Sequence, residues 1–110
     1  MEGQNIIVTD DVVAYLDELV KVLYEKEYFG FIDSAINYVV NVYGFIETIP
    51  REIHKKSPVA LAKYGTYYSF FNTCSRTTWY LFFEKKDNNY IITGILNNHC
   101  EEAKHIAPNP

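Results

Sequence analysis

The chain reads as an α+β domain in which a pair of antiparallel helices packs on one face of a three-stranded antiparallel β-meander. Three observations predict it. Apolar residues recur at helical spacing between about residues 11 and 49, while residues 66–98 are dense in aromatic and β-branched residues with strand alternation. A connector at 50–65, carrying Pro50 and Pro58 and closing on Gly65, separates the two halves. The 110 residues suit one domain, 1–110, with a single core, and 48% hydrophobic with 22% charged residues marks a folded globular chain.

Each element follows from local chemistry. Asn5 to Thr9 form a short strand, and Thr9 or Asp10 supplies an N-cap oxygen for a helix starting near Asp11. Val12, Leu16, Leu19, Val20 and Leu23 make its apolar stripe, and it ends between Glu27 and Gly30. The second helix places Ile32, Ala35, Ile36, Val39, Tyr43 and Ile46 on one stripe, interrupted by Gly44 and stopped before Pro50. Within the connector, Ser57-Pro58 opens one short helical turn through Leu61. A strand over Thr66 to Phe71 and a turn over Asn72 to Ser75 lead into a hairpin from Arg76 to Asn98, folded at Asp87-Asn88-Asn89. The tail from His99 adds a short helix before Pro108. Trp79, Leu81 and Phe83 alternate with Tyr80 and Phe82, so both faces of the hairpin are apolar. A sheet open to water on one side would not need that, so the second face is expected to be covered, by a partner protein.

Charge is divided along the chain. Residues 1–47 carry nine acids against Lys21 and Lys26, and residues 48–110 carry eight bases against five acids, giving the total of −4. An acidic total argues against a surface that coats nucleic acid indiscriminately, whereas the basic run from Arg51 to Lys86 forms a local anion-binding candidate. Cys74 and Cys100 are too few for a disulfide framework and lack metal-site spacing, so both are expected as free thiols. Glu101 and His105, four apart, would supply only two ligands, and His99 lies six residues from His105; no metal and no cofactor is expected. The five glycines form no phosphate loop or dinucleotide fingerprint. The opening MEGQNIIVTDD lacks a secretory leader pattern, and no apolar run reaches the roughly 18 residues of a membrane helix, so a cytoplasmic location without membrane contact is expected.

The succession KYGTYYSFF, RTTWYLFFEKKDNNY and IITGILNNH, behind a strand and two helices, resembles the RelE/ParE toxins of bacterial type II toxin–antitoxin modules over nearly the whole chain. The resemblance implies a compact sheet-and-helix toxin neutralised by a cognate antitoxin. RelE-like members cut messenger RNA on the ribosome, and ParE-like members inhibit DNA gyrase without nuclease activity. For the first activity it implies Arg76 as transition-state stabiliser, His99 in proton transfer, and Lys55, Lys56 and Lys63 along the phosphate backbone. Two features depart from that pattern: no tyrosine follows Tyr90 to fill a C-terminal aromatic role, and the total charge is acidic. Both favour the gyrase version, and an inactive toxin-like interaction module is the third possibility.

The residue types suit those roles. A guanidinium offers a planar fork matched to phosphate oxygens, and imidazole takes both protonation states near neutrality. Tyr80 shares strand parity with Arg76 and Thr78 and would stack on a base or hold a phosphate; Asn97 and Asn98 offer hydrogen bonds to a nucleotide. Each has a plainer alternative: a turn arginine, a strand-ending histidine, a packing tyrosine, strand-ending asparagines, and solvated His54 and lysines in the connector.

Overall fold

A computed structural model describes residues 5–25, 32–74, 77–100, 103–104 and 106. It shows two helices and a five-stranded mixed sheet. In chain order these are β1 (Asn5–Val8), α1 (Asp10–Glu25), α2 (Ile32–Thr48), β2 (Lys55–Lys56), β3 (Tyr67–Cys74), β4 (Thr77–Lys86) and β5 (Asn89–Asn97). One-turn 3₁₀ segments follow α2 at Ile49–Arg51 and fill the connector at Val59–Leu61. The sheet order is β1–β5–β4–β3–β2.

The expected three-stranded meander is the centre of a wider sheet. β1 pairs parallel with β5, Ile7 opposite Ile91, and the two-residue β2 pairs antiparallel with β3, Lys55 opposite Tyr68. Neither pairing is visible in local alternation, because a parallel partner sits some eighty residues away and two lysines carry no strand signal. β3 also runs on through Asn72 to Cys74, where a turn was expected. Its register slips between Asn72 and Cys74, so Thr73 is a bulge that prolongs pairing with β4. Between β4 and β5, Asp87 takes a φ of 56°, a left-handed conformation that aspartate tolerates.

The helical pair covers one face. Val12 and Leu16 of α1, with Val39, Val42 and Ile46 of α2 and the following Ile49, bury against Trp79, Leu81 and Phe83 of β4 and Ile92 and Ile95 of β5. The α2 stripe is rotated from the expected one: Ala35, Val39, Val42, Ile46 and Ile49 face inward, whereas Ile36 is 42% exposed. Steps of four and three from Ala35 hold one face, and Ile36 lies about 100° away from it. Gly44 sits at an exposed position on this helix with nothing within 4 Å of where a Cβ would stand. Gly44→Ala is therefore expected to stabilise the protein by about 0.5–1 kcal/mol, checked by the midpoint of thermal unfolding, since it removes backbone freedom from the unfolded chain without creating a contact.

The middle of the second face, expected to be left open by the helical pair, is covered by the chain's own connector and by Ile106, while Phe70 on the same face stays exposed. Phe82 is fully buried in a second cluster with Leu61, Tyr68 and Ile106, flanked by Tyr64, Tyr80 and Leu96. A bulge in β5 makes the connector fit. Phe82 pairs with Gly94 but Phe83 with Ile92, leaving Thr93 as the extra residue. The slip explains why Tyr90 and Ile92 before it, and Ile95 after it, all pack on the helical side. The Thr93 hydroxyl donates to the Tyr64 carbonyl. A Cβ on Gly94 would lie 2.8 Å from Tyr64 Cβ, and one on Gly65 would lie 2.8 Å from both Phe83 N and Thr93 Oγ1. The Tyr64-Gly65 backbone thus rests directly on the sheet because neither contact has a side chain in the way.

His54, half-buried, is engaged with the sheet and the end of α2 rather than free in solvent. Its Nε2 stands 2.8 Å from the Ile49 carbonyl oxygen, so it carries the proton and donates, leaving Nδ1 to accept from Lys85 Nζ at 3.4 Å. The ring packs edge-on to Phe83 and Tyr90, at 5.0 and 5.6 Å between centroids. Together with the bond from the Ser69 hydroxyl to the Ile53 carbonyl at 2.7 Å, it pins the start of the connector to the sheet.

Candidate functional site

The polar cluster lies where β3, β4 and β5 end together. Thr77 Oγ1 of β4 stands 3.2 Å from His99 Nε2, just past β5. Asn97 Oδ1 accepts the His99 backbone N–H at 2.8 Å, which fixes the chain entering the histidine. Asn98 exchanges two bonds with Thr78: its Oδ1 accepts the Thr78 N–H at 2.9 Å, and its own N–H donates to the Thr78 carbonyl at 3.0 Å. Thr78 Oγ1 in turn donates to Asn72 Oδ1 at 2.6 Å. The side-chain oxygens of Asn97 and Asn98 thus hold this sheet end in shape, and His99 remains the exposed ring at its tip. Arg76 lies outside the described residues, as do Glu101 and His105. Cys100 is a free thiol; the side chain of Cys74 lies outside the described set.

Tyr80 is placed differently from His99. Strand alternation sends Thr77 and Trp79 to one face and Thr78 and Tyr80 to the other. Tyr80 stands half-buried on the second face, edge-on to Tyr68 with ring centroids 5.9 Å apart. Burial, and secondarily the neighbouring Cys100 thiol, push its phenol above the usual tyrosine range, so it stays protonated at neutral pH. Beside it, opposite in register, is Phe70, 42% exposed, with Lys55 Nζ 5.7 Å from its ring centre. An exposed phenylalanine under an ammonium group offers both a stacking surface and a positive charge. Sequence reading missed Phe70 because alternation alone cannot tell which half of a doubly apolar strand stays wet.

The lysines are divided. Lys55 is in register with Tyr68 on the second face, so Lys56, in register with Tyr67, projects to the other. Lys63 lies on the connector with its Nζ 5.3 Å from the Tyr64 ring centre. The structure therefore groups Lys55 with Phe70 and Tyr80, and His99 with Thr77, Asn97 and Asn98, and it separates Lys56 from Lys55. Among the described residues no group of three or more His, Cys, Asp or Glu side chains is placed to hold a metal ion, and no helix is long and apolar enough to cross a membrane.

What fold and site define is an α+β domain with a histidine-tipped polar cluster at one sheet end and a separate basic-aromatic patch on the second sheet face. No protein-family model, curated protein or solved structure matches the chain.

Proposed function

We propose that this protein is the toxin of a type II toxin–antitoxin pair with a RelE/ParE-like arrangement, acting as an endoribonuclease. The observation that carries the reading is the pairing of His99 with Thr77: two residues 22 positions apart meet at the start of β4, directly after Arg76 in the chain. In this reading a ribose 2′-oxygen of the RNA attacks the adjacent phosphorus and the bond to the 5′-oxygen breaks. His99 moves one of the two protons involved, and the Arg76 guanidinium balances charge gathering on the phosphate oxygens. Lys55 and Phe70 hold the flanking strand, Lys55 by charge and Phe70 by stacking. A cognate antitoxin would block that patch and the polar cluster, since the middle of the second face is already covered by the connector.

Induced expression in a bacterial host tests this, with growth followed and messenger RNA ends mapped within minutes. Arrest is expected with new ends that appear on translated messages. His99→Ala and Arg76→Ala are each expected to lower cleavage by about a hundredfold or more. Undiminished cleavage by both variants would overturn the site. The acidic residues 1–47 favour a second reading, a ParE-like gyrase inhibitor, which growth arrest with intact messages would select.

A further inference from the structure

Helix α2 reaches the His99 end of the sheet through one continuous line of hydrogen bonds. The line starts at Trp79, buried in the core between sheet and helices and edge-on to both Tyr15 of α1 and Tyr38 of α2, with ring centroids 6.2 and 6.5 Å away. A buried indole N–H needs an acceptor, and Trp79 Nε1 finds one in the Tyr38 hydroxyl at 2.9 Å. That hydroxyl meets Thr73 Oγ1 at 2.9 Å, and Thr73 Oγ1 lies 3.5 Å from the Thr77 carbonyl oxygen. An indole only donates and a carbonyl only accepts, so the direction of every bond between them is set. Trp79 donates to Tyr38, Tyr38 to Thr73, and Thr73 to Thr77.

The line ends at the peptide unit that carries the partner of His99. Thr73 is the bulged residue of β3, outside the register that aligns its neighbours with β4, so its side-chain bonds contribute what the ladder does not. The peptide unit between Thr77 and Thr78 is gripped by side chains from both sides: its carbonyl accepts from Thr73, and its N–H donates to Asn98 Oδ1 at 2.9 Å. Thr77 Oγ1, at the edge of that unit, stands 3.2 Å from His99 Nε2. The link from Thr73 to Thr77 is the longest in the line, and a small rotation of the Thr73 side chain would break it. The bond from Tyr38 occupies a Thr73 lone pair and turns the Thr73 proton toward Thr77, so it holds the weakest link in place.

We propose that Tyr38 is a positioning residue for His99: through Thr73 it fixes Thr77, and through Thr77 the orientation of the imidazole. Its effect on RNA cleavage rests on the function proposed above; its effect on the ring does not. The test follows His99 in the full-length, isotope-labelled protein by its ring nitrogen resonances and its nuclear Overhauser contact to Thr77, with RNA cleavage measured in parallel. Tyr38→Phe and Thr73→Val are each expected to lose that contact and shift the ring resonances, and to lower kcat about tenfold with KM unchanged. Thr73→Ser, which keeps the hydroxyl, is expected to retain the His99 signature. Tyr38→Phe also strips Trp79 Nε1 of its acceptor and so lowers the unfolding temperature, whereas Thr73→Val cuts the line without touching Trp79. A merely structural Tyr38 would lower stability and leave His99 in place. Unchanged His99 resonances and contact in folded Thr73→Val, or their loss in Thr73→Ser, would overturn the proposal. A chain whose His99 responds as expected but which cleaves no RNA would overturn the nuclease reading and leave this one standing.

Discussion

Phe82→Ala is expected to destabilise the protein by about 3–5 kcal/mol, as much as Phe83→Ala on the opposite face, because both rings are fully buried. The equality is the point of the comparison. Phe83 lies in the core between sheet and helices, where any α+β domain buries its largest side chains. Phe82 lies under Leu61, Tyr64, Tyr68 and Ile106, on the face that an open sheet would leave to solvent or to a partner. If that cover were absent in the isolated chain, truncation of Phe82 would cost less than about 1 kcal/mol, the typical figure for an exposed position. Urea unfolding of the two variants, compared at unchanged denaturant slope, decides it. A small loss for Phe82→Ala beside a large one for Phe83→Ala would mean that the second face is closed only in a complex.

Gly65→Ala is expected to cost about 2–3 kcal/mol, lowering the unfolding temperature on the order of 10 °C. Conformation is not the reason, since no described glycine has a positive φ. Space is. The new Cβ would stand 2.8 Å from the Phe83 backbone nitrogen and 3.0 Å from Phe82 Cβ, and a backbone atom in the central strand cannot swing aside as a side-chain tip does. The connector must lift, breaking the bond from Thr93 to Tyr64 and loosening the cover over Phe82. Against Gly44→Ala, where the added methyl meets nothing, the same chemical change should have opposite signs at two sites in one chain. Thermal unfolding of both variants checks this, and a neutral Gly65→Ala would show that the connector does not bear on the sheet.

The same contacts bear on the candidate site. The connector that covers the middle of the second face also carries Lys63, and the adjoining β2 carries Lys55 to the Phe70 ring. A variant that lifts the connector should therefore weaken the basic-aromatic patch while leaving the bond between His99 and Thr77, at the far end of β4, in place. Stability and the geometry of the basic-aromatic patch are coupled here through one segment.

Much of this was legible locally. The two helices follow from apolar residues at spacings of three and four, and the hairpin from alternation around Asp87-Asn88-Asn89, because both periods are written in contiguous residues. Apolar residues on both faces of β4 announced that both would be covered. His99 and Asn98 were legible as a polar end to β5, although their partners Thr77 and Thr78 were not, since only the β4–β5 register brings them together. Tertiary structure alone decided what does the covering: a connector without periodicity, seated through Gly65, Gly94 and the Thr93 bulge. It also decided that β1 lies parallel to β5, that Lys55 and Lys56 part to opposite faces, that Ile36 turns outward while Val42 turns in, and that His54 is engaged with the sheet rather than free in solvent. The physical reason is common to all of these. A helix or strand period depends on neighbours in sequence, whereas register, bulges and close backbone approach depend on which distant segments fit together, and that fit is set by packing space rather than by residue type.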